Sequence, residues 1–170
     1  MDRYNKNPRR PPYEERGRSN ERVERQEEKS ISNEIIEDLG KLEASVDLVN
    51  KIIRSSKEFN IRSESSYRKI HDLFSDVLDS TLNMVTSGAL KNQIDQAYLN
   101  LAKVKVIVEY QRARGQISPN IAQVLNGAID MLEKQLNNVK GSNQPDLQGL
   151  RKLIENIRIV IDSFAVLAKH

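Results

Sequence analysis

The 170-residue chain predicts an all-α fold: a compact bundle of about five helices behind a disordered basic N-terminal arm. Three observations carry that prediction. From residue 30 onward apolar side chains recur at steps of three and four, the period of an α-helix, and no alternating strand pattern competes. Capping and breaking residues punctuate the periodic stretches at Ser63–Ser65–Ser66, Gly88, Gly115, Ser118–Pro119 and Gly141. Aromatic residues are only 5% and Trp is absent, so Ile, Leu and Val must fill the core.

Residues 1–29 read as a low-complexity arm and residues 30–170 as one helical domain. In the arm Pro8, Pro11 and Pro12 break helix, and Val23 is almost its only aliphatic residue. Arg3, Lys6, Arg9, Arg10, Arg16 and Arg18 outnumber Asp2, Glu14 and Glu15. Such a tail serves solubility or lies on phosphates, and composition allows both.

The first helix starts at Ser30 or Ser32 and runs to about Ser56. Its stripe Ile35, Leu39, Leu42, Val46, Val49 and Ile53 alternates steps of four and three, as a bundle helix or a self-association seam would. We favour the bundle. The second helix is capped in the serine cluster, buries Tyr67, Ile70, Phe74, Val77, Thr81 and Met84, and ends at Thr86–Ser87–Gly88.

The third helix spans about Ala89 to Ala113 and contains LAKVKVIVEYQRAR, residues 101–114, which is apolar and basic at once. Leu101, Val104 and Val108 share one face with Ile107 beside them. Lys105, Glu109 and Arg112 follow one edge; Lys103, Tyr110 and Arg114 follow another. Apolar residues on so much of the circumference predict a helix sandwiched between neighbours, with cations at its margins. The fourth helix has the clearest start, Ser118 followed by Pro119 at the first helical position. It buries Ile121, Val124, Leu125, Ala128, Leu132 and Leu136, and Gly141 stops it. The fifth is capped by Asn143 or Asp146 and turns Leu150, Ile154, Ile157, Ile161 and Phe164 inward.

The missing chemistry narrows function. Without cysteine there is no disulfide, thiolate metal site or thiol nucleophile. No apolar run approaches the ~18 residues of a membrane span, and the N-terminus has no signal-like apolar core, so a cytoplasmic protein with no membrane partner is expected. Only His71 and His170 offer imidazole, and His71 at the edge of an apolar stripe reads as packed or solvent-facing. No HExxH, phosphate-binding glycine loop or dinucleotide pattern occurs. We expect no catalytic residues, no metal and no cofactor: a non-enzyme.

The formal charge of +3 is mildly basic. The cations concentrate in two clusters on adjacent helices: Arg62, Arg68 and Lys69 near the start of the second, and Lys103, Lys105, Arg112 and Arg114 on the third. Such positions hold phosphates without reading bases. They equally serve as solvated surface, with Lys105–Glu109 and Glu109–Arg112 pairs along the helix.

Three segments in order resemble the small subunit of type III-A (Csm) CRISPR interference complexes. SESSYRKIHDLF at Ser63–Phe74 resembles that family's Ser-x-Ile-Arg-Lys helix start, with Tyr67 at the isoleucine position. KVKVIVEYQRAR at Lys103–Arg114 is similar to its Lys-apolar-apolar-Tyr-x-x-x-Arg helix, although Lys105 stands five residues before Tyr110 rather than three. IDSFAVLAKH resembles its C-terminal ending, with Leu167 in place of a tyrosine. The span they define covers about two-thirds of the chain. The related small helical protein of type III-B (Cmr) complexes fits nearly as well.

The resemblance implies a non-catalytic subunit that stacks along a guide RNA–protein filament beside other subunits of the effector complex. It implies contact with the backbone of target RNA, or of the guide–target duplex, through Lys and Arg. Arg68, Lys69 and Arg114 match the family's basic positions; Arg62, Lys103, Lys105 and Arg112 join them from helix geometry alone. The rival expectation is a helical homo-oligomeric scaffold without nucleic-acid binding, associating through the Ile35–Ile53 stripe.

Overall fold

The computed structural model describes residues 29–41 and 45–168. The arm over residues 1–28, Leu42 and the terminal Lys169–His170 lie outside them. The described chain is all-α, with six helices: α1 (Ile31–Leu39), α2 (Ser45–Arg54), α3 (Glu64–Ser87), α4 (Ile94–Ala113), α5 (Pro119–Gly141) and α6 (Leu147–Ala168). A single 3-10 turn, Ser56–Glu58, follows α2.

The extra helix comes from a break at Gly40. The helix expected from Ser30 to Ser56 is two helices folded back on each other. The Gly40 amide turns onto the Glu37 carbonyl at 3.2 Å and the Lys41 amide onto that of Asp38 at 3.0 Å, which closes α1. The reversal shifts the buried phase. Ile35 and Leu39 are buried in α1 and Leu48 and Ile52 in α2, whereas Val46 and Ile53 of the expected stripe are 72% and 53% exposed. The Ile35–Ile53 heptad is therefore not one continuous seam.

Two polar devices hold this hairpin. The Asp38 carboxylate, 5% exposed, accepts from Lys41 Nζ at 2.8 Å and from Lys51 Nζ of α2 at 2.5 Å. Asn156 of α6 is fully buried; its Nδ2 donates to the Leu39 and Lys41 carbonyls at 3.1 and 2.9 Å. Its Oδ1 accepts from Ser45 Oγ at 3.3 Å, so one amide side chain pins both ends of the reversal to α6.

The other elements follow their local signals closely. Ser63 Oγ accepts the Ser66 amide at 3.2 Å to start α3, and the six predicted core residues of that helix are buried. Gly88 ends α3 at φ 74°, with its amide on Val85 O and the Ala89 amide on Met84 O at 2.9 Å. That closing turn and the next consume Ala89–Gln93, so α4 begins at Ile94 rather than at Ala89. Ser118 Oγ caps the Ile121 amide at 3.3 Å with Pro119 at the first position of α5. Asp146 rather than Asn143 caps α6, its Oδ1 accepting from the Gly149 amide at 2.9 Å.

Packing joins α3 to α4 and α6, α4 to α5, α5 to α1, and α2 to α6 around one apolar core. Among the described residues no helix is long and apolar enough to cross a membrane.

Replacing Asn156 by Leu leaves the buried Leu39 carbonyl and the part-buried Lys41 carbonyl without their donor, and the expected loss is about 2–3 kcal/mol in urea unfolding. Burial works to raise the Asp38 pKa, but the hydrogen bonds and charges of Lys41 and Lys51 outweigh it and hold the carboxyl below its ordinary value. The stabilisation is then complete above the unfolded carboxyl pKa of about 3.9 and is lost as pH falls through the lower folded value. Asp38→Asn is expected to destabilise by about 1–2 kcal/mol at neutral pH and much less near pH ~2, as paired urea titrations would read.

Candidate nucleic-acid interface

Phe59 follows the turn after α2 and is 2% exposed, with its ring centroid 5.0 Å from that of Phe164 on α6. Phe164 meets Tyr67 edge-on at 6.4 Å. Tyr67 is buried, and its hydroxyl donates to the Ile161 carbonyl at 2.6 Å. Burial pushes the Tyr67 phenol well above its usual pKa, so it remains a neutral donor.

This aromatic anchor sets the course of the next four residues. Asn60–Ser63 run alongside Gln116–Ser118, the link between α4 and α5. The Arg62 amide donates to Gln116 O and the Ser118 amide to Asn60 O, both at 2.8 Å, around the antiparallel bridge Ile61–Ile117. Gly115 takes φ 69°, a left-handed conformation unfavourable to side-chain-bearing residues, where the chain leaves α4. The result is a clasp between two connections far apart in sequence.

The clasp brings together two of the seven predicted cations. Arg62 and Arg112 line one open groove of about 550 Å³ with Asn60, Gly115, Ser118 and Pro119. Arg112 is held by Glu109, with Nη2 and Nε at 2.9 and 3.1 Å from Oε2. The Arg112 bonds, and then the Asn126 amide at 2.7 Å, hold the Glu109 carboxyl below the usual carboxylate range. Of the two expected intrahelical pairs, Glu109–Arg112 forms and Lys105–Glu109 does not. Arg62 has no carboxylate partner among the described residues.

The other five cations are exposed but distributed. Arg68 pairs with Glu64 at 2.7 Å and faces a second groove, lined by His71 and Ala165, on the α6 side of α3. Lys69, one residue on and so ~100° further round, falls on the flank toward α4. On α4, Lys103 and Arg114 lie toward α3, whereas Lys105 lies toward α5 with Arg112. The Arg114 guanidinium sits 5.3 Å from the Tyr110 ring centroid. His71, read from sequence as packed or solvent-facing, is half-buried and bridges α3 to α6 through Nε2 and Asp162 Oδ1 at 2.7 Å.

The sandwiched α4 needs correction. Leu101, Val104 and Val108 are buried against α3 and α5, as their spacing predicts. Among the described residues no third neighbour covers the outer side: Leu99, Val106 and Tyr110 are 51%, 70% and 57% exposed. Two further cations escaped the sequence reading. Arg54 and Lys57 are exposed on the stretch that leads into the clasp. The signal was the density of cations in KIIRSSKEFNIR, which a helix running through Ser56 would have spread around its circumference.

Among the described residues no group of His, Cys, Asp and Glu stands together so as to hold a metal ion. No protein family, curated protein or solved structure matches the chain.

Proposed function

We propose that the protein is a non-catalytic RNA-binding subunit that holds a phosphate backbone at the clasp end of the bundle. The observation that carries this reading is the groove in which Arg62 and Arg112 converge from separate segments, with Arg62 unpaired among the described residues. Lys69, Lys103 and Arg114 are exposed on the flanks where α3 and α4 adjoin, Lys105 follows Arg112 on the α5 side, and Arg68 stands apart on the α6 side of α3. Arginines at such a site engage phosphate oxygens through a planar fork without addressing the bases.

The resemblance of Ser63–Phe74, Lys103–Arg114 and the C-terminal helix to the Csm small subunit supports a more specific assignment. The protein is then a small subunit of a type III CRISPR effector complex in the cytoplasm, contacting target RNA and neighbouring subunits. Base pairing to a guide reads the sequence in such a system, and the protein needs only to hold charge and shape. The rival scaffold reading loses its original support, because Gly40 breaks the stripe on which it rested.

Binding of ~40-nucleotide single-stranded RNA across a salt series tests the RNA reading, since each neutralised phosphate contributes about 0.7 to the slope of log affinity against log salt. The double variant Arg62→Ala, Arg112→Ala is expected to lower that slope by about 1.4 with an unchanged circular dichroism spectrum. An unchanged slope would remove the groove from the interface. No binding at ~20 mM salt would sink autonomous RNA binding altogether.

A further inference from the structure

The outer face of α4 is apolar from end to end. Leu99, Ala102, Val106, Tyr110 and Ala113 follow one another at steps of three and four, and all five are exposed. Neither α3 nor α5 reaches them, because both pack against the opposite side through Leu101, Val104 and Val108. A helix with such a second stripe carries more apolar surface than its place in the bundle uses. The polar residues at the ends of this stripe identify what it fits. Asp95 lies one turn before Leu99 in the first turn of α4, and Arg114 lies one turn after Tyr110 at the other end.

We infer that this face pairs with the same face of a second copy of the chain, the two α4 helices antiparallel about a two-fold axis near Lys105. That arrangement sets Leu99 against Tyr110 of the second copy, with Ala102 and Val106 at the centre. It also carries Asp95 to Arg114 of the second copy, and by symmetry every contact occurs twice. A parallel pairing would put like charges together at each end, so the charge order selects the antiparallel one. The small side chains of Ala102 and Ala113 let the backbones approach. Lys103 of each copy extends to solvent along one margin of the pair.

With its charged ends, from Asp95 to Arg114, this face is about 28 Å long and about 10 Å wide at a rise of ~1.5 Å per residue. It can bury roughly 500 Å² per copy, at the low end of specific interfaces, so the expected dissociation constant is on the order of micromolar. The pairing is independent of the RNA reading, since it needs neither the clasp groove nor a nucleic acid. Because it engages Arg114, it is tested on the full chain freed of nucleic acid by nuclease and high salt.

Sedimentation equilibrium over a concentration series is expected to show a monomer–dimer equilibrium. Val106→Asp, at a site already in solvent, is expected to give a monomer with unchanged circular dichroism. Asp95→Arg and Arg114→Asp are each expected to weaken the dimer roughly tenfold, and the two reversals together to restore it. Three results would overturn the inference: a wild-type monomer at ~200 µM, far above the expected constant; a Val106→Asp dimer; or a double reversal no tighter than the single ones. Loss of RNA binding in these variants, measured separately, would not bear on the pairing.

Discussion

The contact of Phe59 with Phe164, whose ring in turn meets Tyr67, is the constraint on which the functional end of the molecule depends. Without it, the connection from α2 to α3 has little reason to follow one path, since Asn60–Ser63 is polar apart from Ile61. With the Phe59 ring fixed under α6, those residues are delivered beside Gln116–Ser118 and two backbone hydrogen bonds close the clasp. The apolar burial is non-directional, and the hydrogen bonds supply the register. Arg62 and Arg112 share a groove only because both conditions are met.

The same division of labour recurs at the opposite end. Apolar burial of Ile35, Leu39, Leu48 and Ile52 brings α1 and α2 onto the bundle, but it does not say how the chain should reverse between them. Asn156 and Asp38 do. Each is buried and each has its partners, which is the condition under which a polar group in a core specifies structure instead of weakening it. Asn156 donates to the Leu39 and Lys41 carbonyls at the end of α1, which need new donors, and Asp38 ties the same end to α2 by accepting from Lys51.

α4 links the two proposals. Its inner face is spent on α3 and α5, its flanks carry Lys103, Lys105, Arg112 and Arg114, and its outer stripe remains apolar. A subunit that bound RNA along its flanks and its own copy along the ridge between them would place two cationic tracks side by side. The Tyr110–Arg114 stack sits at the junction of the two surfaces, with the ring on the ridge and the guanidinium at its margin.

By itself, the sequence determined the helices with strong ends: α3 from the Ser63–Ser65–Ser66 cluster to Gly88, α5 from Ser118–Pro119 to Gly141, and the inward stripes of α5 and α6. Caps, breakers and the 3.6-residue period are local properties, and they survive any arrangement of neighbours. Tertiary structure decided the rest. One glycine at position 40 left the Ile35–Ile53 period intact on paper, and only the docking of Asn156 and Asp38 turned it into a hairpin. The number of neighbours around α4 was equally invisible, because apolar residues on two faces read the same whether the second face meets a helix or water. The cations were legible one by one as exposed, but their grouping was not. Arg62 and Arg112 meet through a hydrogen-bonded bridge between distant loops, and no local spacing encodes such a contact.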